Sequence, residues 1–262
     1  MFKKESEMAR VFITGSTEGV GRNAAEMLLA EGHEVVLHAR NPARAKAFGD
    51  LAERAQVLSA DLGSLSETRA LAQDLNAIGP MDAILHNAGI IDNRREKTPD
   101  GLLRVLMVNA IAPYVLSVLA DRPKRLIFTG SSMHRGHSDV LDDIDWTRHP
   151  WSASRAYGES KLLVTALSAG LARYWPEVLC HTVDPGWVPT RMGGRSASDP
   201  IEQAHVTQCW LATSGDAAVQ ESGAYWHHMR RQSADPKVSD SRFQDEVISR
   251  FAAMSGIPLA PR

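Results

Sequence analysis

"RVFITGSTEGVGRNAAEMLLAEGHEVVLHARN", residues 10–41, decides the fold. Residues 10–15 form a short apolar run of strand-forming residues. The loop "TGSTEGVG", Thr14 to Gly21, follows at once. Gly15, Gly19 and Gly21 let its backbone turn tightly and approach a ligand without Cβ interference, and Ser16, Thr17 and Val20 line the same turn. "GRNAAEMLLAEGH" then reads as a helix with Ala24, Ala25, Met27 and Leu28 on one side and Gly32 as its stop. A second apolar run, "EVVLHA" at 34–39, closes the unit. The unpaired N–H groups and positive dipole end of the helix, set behind a glycine loop at a strand end, make a pyrophosphate site.

The pattern repeats outward. Apolar runs at 55–60, 82–87, 124–130, 177–183 and 223–226 alternate with helical stretches. Their Val, Ile and Leu content suits strands buried on both faces. The expectation is an α/β, Rossmann-type doubly wound parallel sheet of about seven strands with helices on both faces. No repeat or linker divides the chain. Residues 9–262 read as one dinucleotide-binding domain with a C-terminal extension at 230–262, and residues 1–8 as a disordered lead-in.

Of the 262 residues, 44% are hydrophobic and 23% charged, which fits a globular protein. A formal net charge of −2 offers no basic field to nucleic acid or anionic membrane. Two cysteines, Cys180 and Cys209, make no disulfide framework and suit a reducing cytoplasm. No stretch is long and apolar enough to span a membrane.

A strand-two acid would hold the ribose diol of NAD. Here the strand ends instead in Arg40, whose guanidinium suits a 2′-phosphate, so NADP(H) is preferred and NAD(H) stays open. Glu18 in the glycine loop would repel that phosphate, with Arg22 as the expected offset. Asp61, followed by Leu62 after strand three, is placed to reach the adenine amino group.

Further along come Asn87-Ala88-Gly89, Asn109, Ser131-Ser132, Tyr157-x-x-x-Lys161 and Pro185-Gly186 with Val188 and Thr190. Taken in order with Thr14-Gly15-x-x-x-Gly19-x-Gly21, they make residues 9 to 226 resemble the short-chain dehydrogenase/reductase family. The resemblance implies that Tyr157 is the general acid or base and that Lys161 holds the nicotinamide ribose and lowers the tyrosine pKa. It implies that Ser132 hydrogen-bonds the substrate oxygen and Asn109 holds a proton-relaying water. Asn87, Ala88 and Gly89 would line the cofactor cleft, and Pro185, Gly186, Val188 and Thr190 would border the nicotinamide. Elementary chemistry agrees: a buried ammonium favours a phenolate, and two hydroxyl donors stabilise the oxyanion formed on hydride attack.

The chain departs from the family's pattern in places. His86 stands where an asparagine is usual, altering a structural hydrogen bond more than the chemistry. The helix in "VNAIAPYVLSVLADRP" is short; since the family often pairs subunits through it, homodimer and monomer both stay open. The Ser132–Tyr157 spacing is similar to the retinol dehydrogenase-like branch, which handles lipophilic carbonyls. The insert's His134, His137, Asp139, Asp142 and Asp143 read as a polar loop, and no metal is expected. Trp146, Trp151, Trp187 and Trp226 are either core residues or walls of an apolar pocket. His227-His228 reads as the polar end of the last strand. Asp199 reads as a helix cap ahead of Pro200. Phe243, Val247, Ile248 and Phe251 give the tail an apolar face that packs on the core or covers the pocket.

The expected function is NADP(H)-dependent interconversion of a small lipophilic carbonyl compound and its alcohol, with Tyr157 as acid/base. The alternatives are a non-catalytic NADP sensor and a nucleotide-sugar epimerase or dehydratase; the latter's usual glycine spacing and larger C-terminal domain are absent from the sequence.

Overall fold

The structure is a computed structural model and describes residues 8–137 and 139–260. The lead-in expected at residues 1–8 therefore lies, apart from Met8, outside the described residues. Strands β1 (Arg10–Ile13), β2 (Glu34–Ala39), β3 (Gln56–Ser59), β4 (Ala83–His86), β5 (Arg125–Thr129), β6 (Leu179–Asp184), β7 (Tyr225–His227) and β8 (Arg230–Gln232) form one sheet in the order β3-β2-β1-β4-β5-β6-β7-β8. All pairs are parallel except β7–β8. The order reverses between β1 and β4, the crevice where open α/β sheets bind ligands. The seven expected strands all form, and β8 is an addition.

The helices are α1 (Gly19–Ala30), α2 (Pro42–Ala45), α3 (Leu51–Arg54), α4 (Leu65–Ile78), α5 (Arg104–Leu106), α6 (Ala112–Leu119), α7 (Ala153–Tyr174), α8 (Ile201–Ala204), α9 (Val206–Thr213) and α10 (Ser241–Ser255). One apolar cluster joins α4, α6, α7 and α10 to one sheet face; a second joins α1 and α9 to the other. Strand residues such as Val11, Phe12 and Ile13 are buried toward both, which is why those runs are apolar without alternation.

The 22-residue α7 brings the site together. Ser152 caps its start by accepting from the Arg155 N–H. The insert before it folds tightly onto its first turns. Trp146 Nε1 donates to Glu159 Oε2 at 2.7 Å, and Arg155 bridges Glu159 and Asp139. A Cβ at position 158 would fall 2.6 Å from the Met133 carbonyl oxygen, so only glycine admits this approach beside Tyr157. At the far end of α7, Gly170 admits Ile248 of α10.

The buried face of α10 carries Phe243, Val247, Ile248 and Phe251 as expected. Of its two expected positions, the structure takes packing on the core: Phe251 meets Tyr114 of α6, and Arg173 of α7 pairs with Asp245. The expectation of an Asp199 cap is corrected. Pro200 precedes α8 with no side-chain cap, and Asp199 instead accepts from the Trp187 N–H at 2.7 Å, clasping the loop after β6.

Candidate active site

The glycine loop is fixed from below. Gly15 and Gly19 take φ of 64° and 60°, and a Cβ at Gly15 would lie 2.9 Å from the Ala88 Cα. Asn87 Nδ2 donates to the Thr14 and Gly15 carbonyls, and the Ala88 N–H donates to Thr14 Oγ1. Thr190 lies 3.2 Å from where a Gly19 Cβ would be. The expected cofactor residues of three separate loops thus converge. α1 has no side-chain cap, so its first-turn N–H groups meet no protein side chain there.

Ser16 departs from expectation. It is fully buried, its N–H and hydroxyl donate to the His38 carbonyl, and its Oγ accepts from the His38 N–H. Thr17 and Val20 are half-buried at the loop surface. The His38 ring, a residue the sequence reading passed over, completes the staple. Its Nδ1 accepts from the Gly15 N–H at 3.0 Å and its Nε2 donates to the Ala60 carbonyl at 2.9 Å, and burial pulls its pKa down to about 4.

At the end of β2, Arg40 is 62% exposed and pairs with Asp61 at 3.3 Å. Leu62 is buried in the core. Arg22 does not offset Glu18: it turns to Glu26 and the Ala47 carbonyl, each within 2.8 Å. Glu18 meets Arg44 instead, at 3.0 Å, because the Asn41 cap starts α2 so that Arg44 lies back over the glycine loop, near Thr17. Arg44 therefore flanks the glycine loop, while Arg40 stands at the end of β2 beside Asp61. The signal for Arg44 was the helix start in "RNPARA".

Across the switch point, Lys161 is buried, with Nζ donating to the Thr129 carbonyl at 2.8 Å. It lies 5.5 Å from the Tyr157 ring centre. Nζ is also 3.4 Å from where a Cβ on Gly89 would sit, so a side chain there would crowd the space between Lys161 and Met192. Asn109 sits in a π-helical turn, Met107–Ile111, between α5 and α6. Its amide accepts from the Ile90 N–H and donates to the Ile90 carbonyl and Ser160 Oγ. Both amide N–H groups are thus engaged in holding loop to helix.

The serine assignment is corrected. Of the two serines, it is the Ser131 side chain that acts on the Tyr157 phenol, opposing the effect of burial. Extended backbone persists through Ser131 (φ −167°, ψ 148°), and a 3₁₀ turn beginning at Ser132 carries that residue to the exposed surface. The protonation balance also differs from expectation. Burial pushes the Tyr157 phenol up to about 12, with the Ser131 hydrogen bond opposing and the Asp184 charge adding. Burial pulls Lys161 down to about 8, and Asp184 opposes that.

Pro185 and Gly186 begin the loop after β6, Val188 is buried beneath it, and Thr190 Oγ1 accepts from the Gly193 N–H. Trp146 and Trp226 are core residues and Trp151 is half-buried against Trp146; Trp187 stands exposed. His86 faces Ser117, away from the site. Among the described residues no group of three or more His, Cys, Asp or Glu side chains is placed to hold a metal ion.

Comparison with known proteins gives this arrangement its family. The sequence matches the family described as Enoyl-(Acyl carrier protein) reductase over residues 15–225. It is 37% identical over 257 residues to short-chain dehydrogenase chyC of Penicillium rubens, covering 96% of this chain and 99% of the relative. The chain belongs to the short-chain dehydrogenase/reductase family. It is an oxidoreductase of that family. This short-chain dehydrogenase/reductase is also 32% identical over 265 residues to a Streptomyces protein assigned as daunorubicin C-13 ketoreductase DnrU, covering 94% of this chain and 92% of that one. Its fold matches a metagenomic blue fluorescent protein solved with NADPH, at a TM-score of 0.68 and 22% identity, covering 84% of this chain and 95% of that one. No helix among the described residues is long and apolar enough to cross a membrane.

Proposed function

We propose that this protein is an NADPH-dependent reductase of lipophilic ketones or aldehydes. The observation that carries the reading is the meeting of Tyr157, Ser131 and Lys161 beside Gly89 at the switch point of the sheet. The uncapped α1 start, the glycine loop and the space at Gly89 fit a nicotinamide dinucleotide. Arg40 and Arg44 would grip a 2′-phosphate, exchanging exposed carboxylate partners that contribute little for a charge-assisted contact. The name of the daunorubicin-type relative points toward a ketone, and the NADPH complex toward the phosphorylated cofactor.

When bound, the nicotinamide supplies the hydride. Tyr157 donates its phenolic proton to the carbonyl oxygen as charge develops there, and Ser131 shares that oxygen through its hydroxyl. Lys161, as the ammonium, sits beside the phenolate that results and favours it. A phenol held protonated at neutral pH suits the reductive direction. The exposed large apolar residues Ile91, Met133, Trp187, Met192 and Met229 all stand on loops leaving the C-terminal ends of β4, β5, β6 and β7. They form an apolar rim that would select a lipophilic substrate.

The test is NADPH consumption with a panel running from small polar to polycyclic carbonyl compounds. The reading expects turnover that rises with apolar size. Tight NADPH binding without turnover over the whole panel would make the protein a sensor instead.

A further inference from the structure

Nothing in the proposed chemistry uses Asp199. It closes the segment "WVPTRMGGRSASD", residues 187–199, which follows Gly186 after β6. The two ends of this segment are tied together. Asp199 Oδ2 accepts from the Trp187 N–H at 2.7 Å, and the Asp199 N–H donates to the Trp187 carbonyl at 2.9 Å. Gly186, at φ 87°, makes room for the carboxylate, since a Cβ there would collide with Asp199 Oδ2. Ser198 Oγ donates to Oδ1 at 3.2 Å. Inside the loop, Trp187 Nε1 donates to the Gly193 carbonyl at 3.0 Å. The Gly193 N–H donates to Thr190 Oγ1 at 3.2 Å, and the Gly194 N–H to the Thr190 carbonyl at 2.9 Å. The loop so braced reaches both sides of the crevice. Thr190 Cγ2 is 3.2 Å from where a Cβ on Gly19 would stand, in the glycine loop. Met192 Cε is 3.9 Å from where a Cβ on Gly89 would stand, a point that is itself 3.4 Å from Lys161 Nζ.

We propose that Asp199 is a positioning residue: its carboxylate holds the 187–199 loop shut across the dinucleotide cleft, with Thr190 over the glycine loop and Met192 over Gly89. This rests on the nicotinamide reading of the cleft. Val188 alone of the segment is buried, while Trp187, Arg191, Met192 and Arg195 stand exposed. Packing on the core therefore does little to hold the loop, and its polar contacts decide where it lies. A carboxylate accepting from a backbone N–H makes a charge-assisted bond, stronger than a neutral one. Placed at the base of the loop, that bond restrains every residue between its ends. Held this way, Thr190 and Met192 lie in the path of a dinucleotide entering or leaving, so the strength of the clasp sets how fast it does so.

The test uses the full chain and two readouts. Trypsin cleavage of the cofactor-free protein after the exposed Arg191 and Arg195 reports opening of the loop. Stopped-flow mixing with NADPH reports entry and release. Asp199→Ala should be cut at these sites about tenfold faster, and should release NADPH about tenfold faster with association no slower than in the wild type. Asp199→Asn keeps an acceptor for the Trp187 N–H and should bring both readouts back near wild type. Trp187→Phe, which removes the bond to the Gly193 carbonyl and leaves the clasp, is the second loosening variant and should also speed cleavage. Cleavage unchanged in both loosening variants overturns the proposal. So does slowed NADPH association in Asp199→Ala, the mark of a distorted site, or a failure of Asp199→Asn to restore the loop. The cleavage readout needs neither cofactor nor turnover, so a wild type inactive on every carbonyl would sink the reductase reading and leave this result standing.

Discussion

Two adjacent serines separate sequence pattern from geometry. Ser131→Ala removes the hydroxyl beside Tyr157 and should lower kcat/KM by about tenfold to a hundredfold, whereas Ser132→Ala changes a surface residue and should leave it near wild type. Steady-state kinetics of the two variants settle which serine acts. The motif could place a serine pair at the end of β5; it could not show where extended backbone gives way to the 3₁₀ turn, and that boundary chooses the residue. Lys161 gives the second prediction at this scale. Its pKa falls on folding from 10.5 to about 8, so the unfolded chain binds the extra proton and folding is penalised at neutral pH. Wild-type stability should therefore rise with pH between those values. Lys161→Met should abolish turnover yet stabilise the protein at pH 7 by about 1–3 kcal/mol, net of the lost contact to the Thr129 carbonyl. That advantage should shrink as pH rises toward 10.5, read by denaturant melts across the range.

At the scale of elements, the tail is structural. Phe251 is fully buried between α10 and α6, so Phe251→Ala should cost about 3–5 kcal/mol in unfolding free energy while leaving the KM values of the folded enzyme alone. A shifted KM without lost stability would contradict that placement. On the proposed reading, the β2–α2 connection sets cofactor choice. Arg40→Asp should weaken NADPH by about one to two powers of ten and move preference toward NADH, and Glu18→Ala, which frees Arg44, should tighten NADPH modestly. Calorimetric titration of both cofactors into each variant checks this, and unaltered preference in Arg40→Asp would refute it. The seven parallel strands were readable because burial on both faces writes continuous apolar runs. β8 was not: it is an edge strand of Arg230, Arg231 and Gln232, all exposed. The turn before it runs through His228 and Met229 at φ 45° and 63°, without the Asn-Gly or Asp-Gly signal such a turn usually carries.

For the whole molecule, the order of motifs along the chain was enough to bring them to one edge of the sheet, because parallel strands deliver their C-terminal ends to the same edge. Single-residue partners were not legible. Arg44 over Glu18, His38 under Gly15 and Asp184 against Tyr225 are contacts between segments far apart in sequence. The Tyr157–Lys161 spacing was legible, but the depth of burial that fixes their protonation was not. The central claim is that Tyr157 delivers the proton. It is tested most directly by single-turnover reduction of a lipophilic ketone by the NADPH-loaded wild type and Tyr157→Phe, with NADPH affinity measured for both. The account predicts unchanged NADPH affinity and a loss in turnover of about a hundredfold or more. Turnover in Tyr157→Phe close to that of the wild type would contradict it.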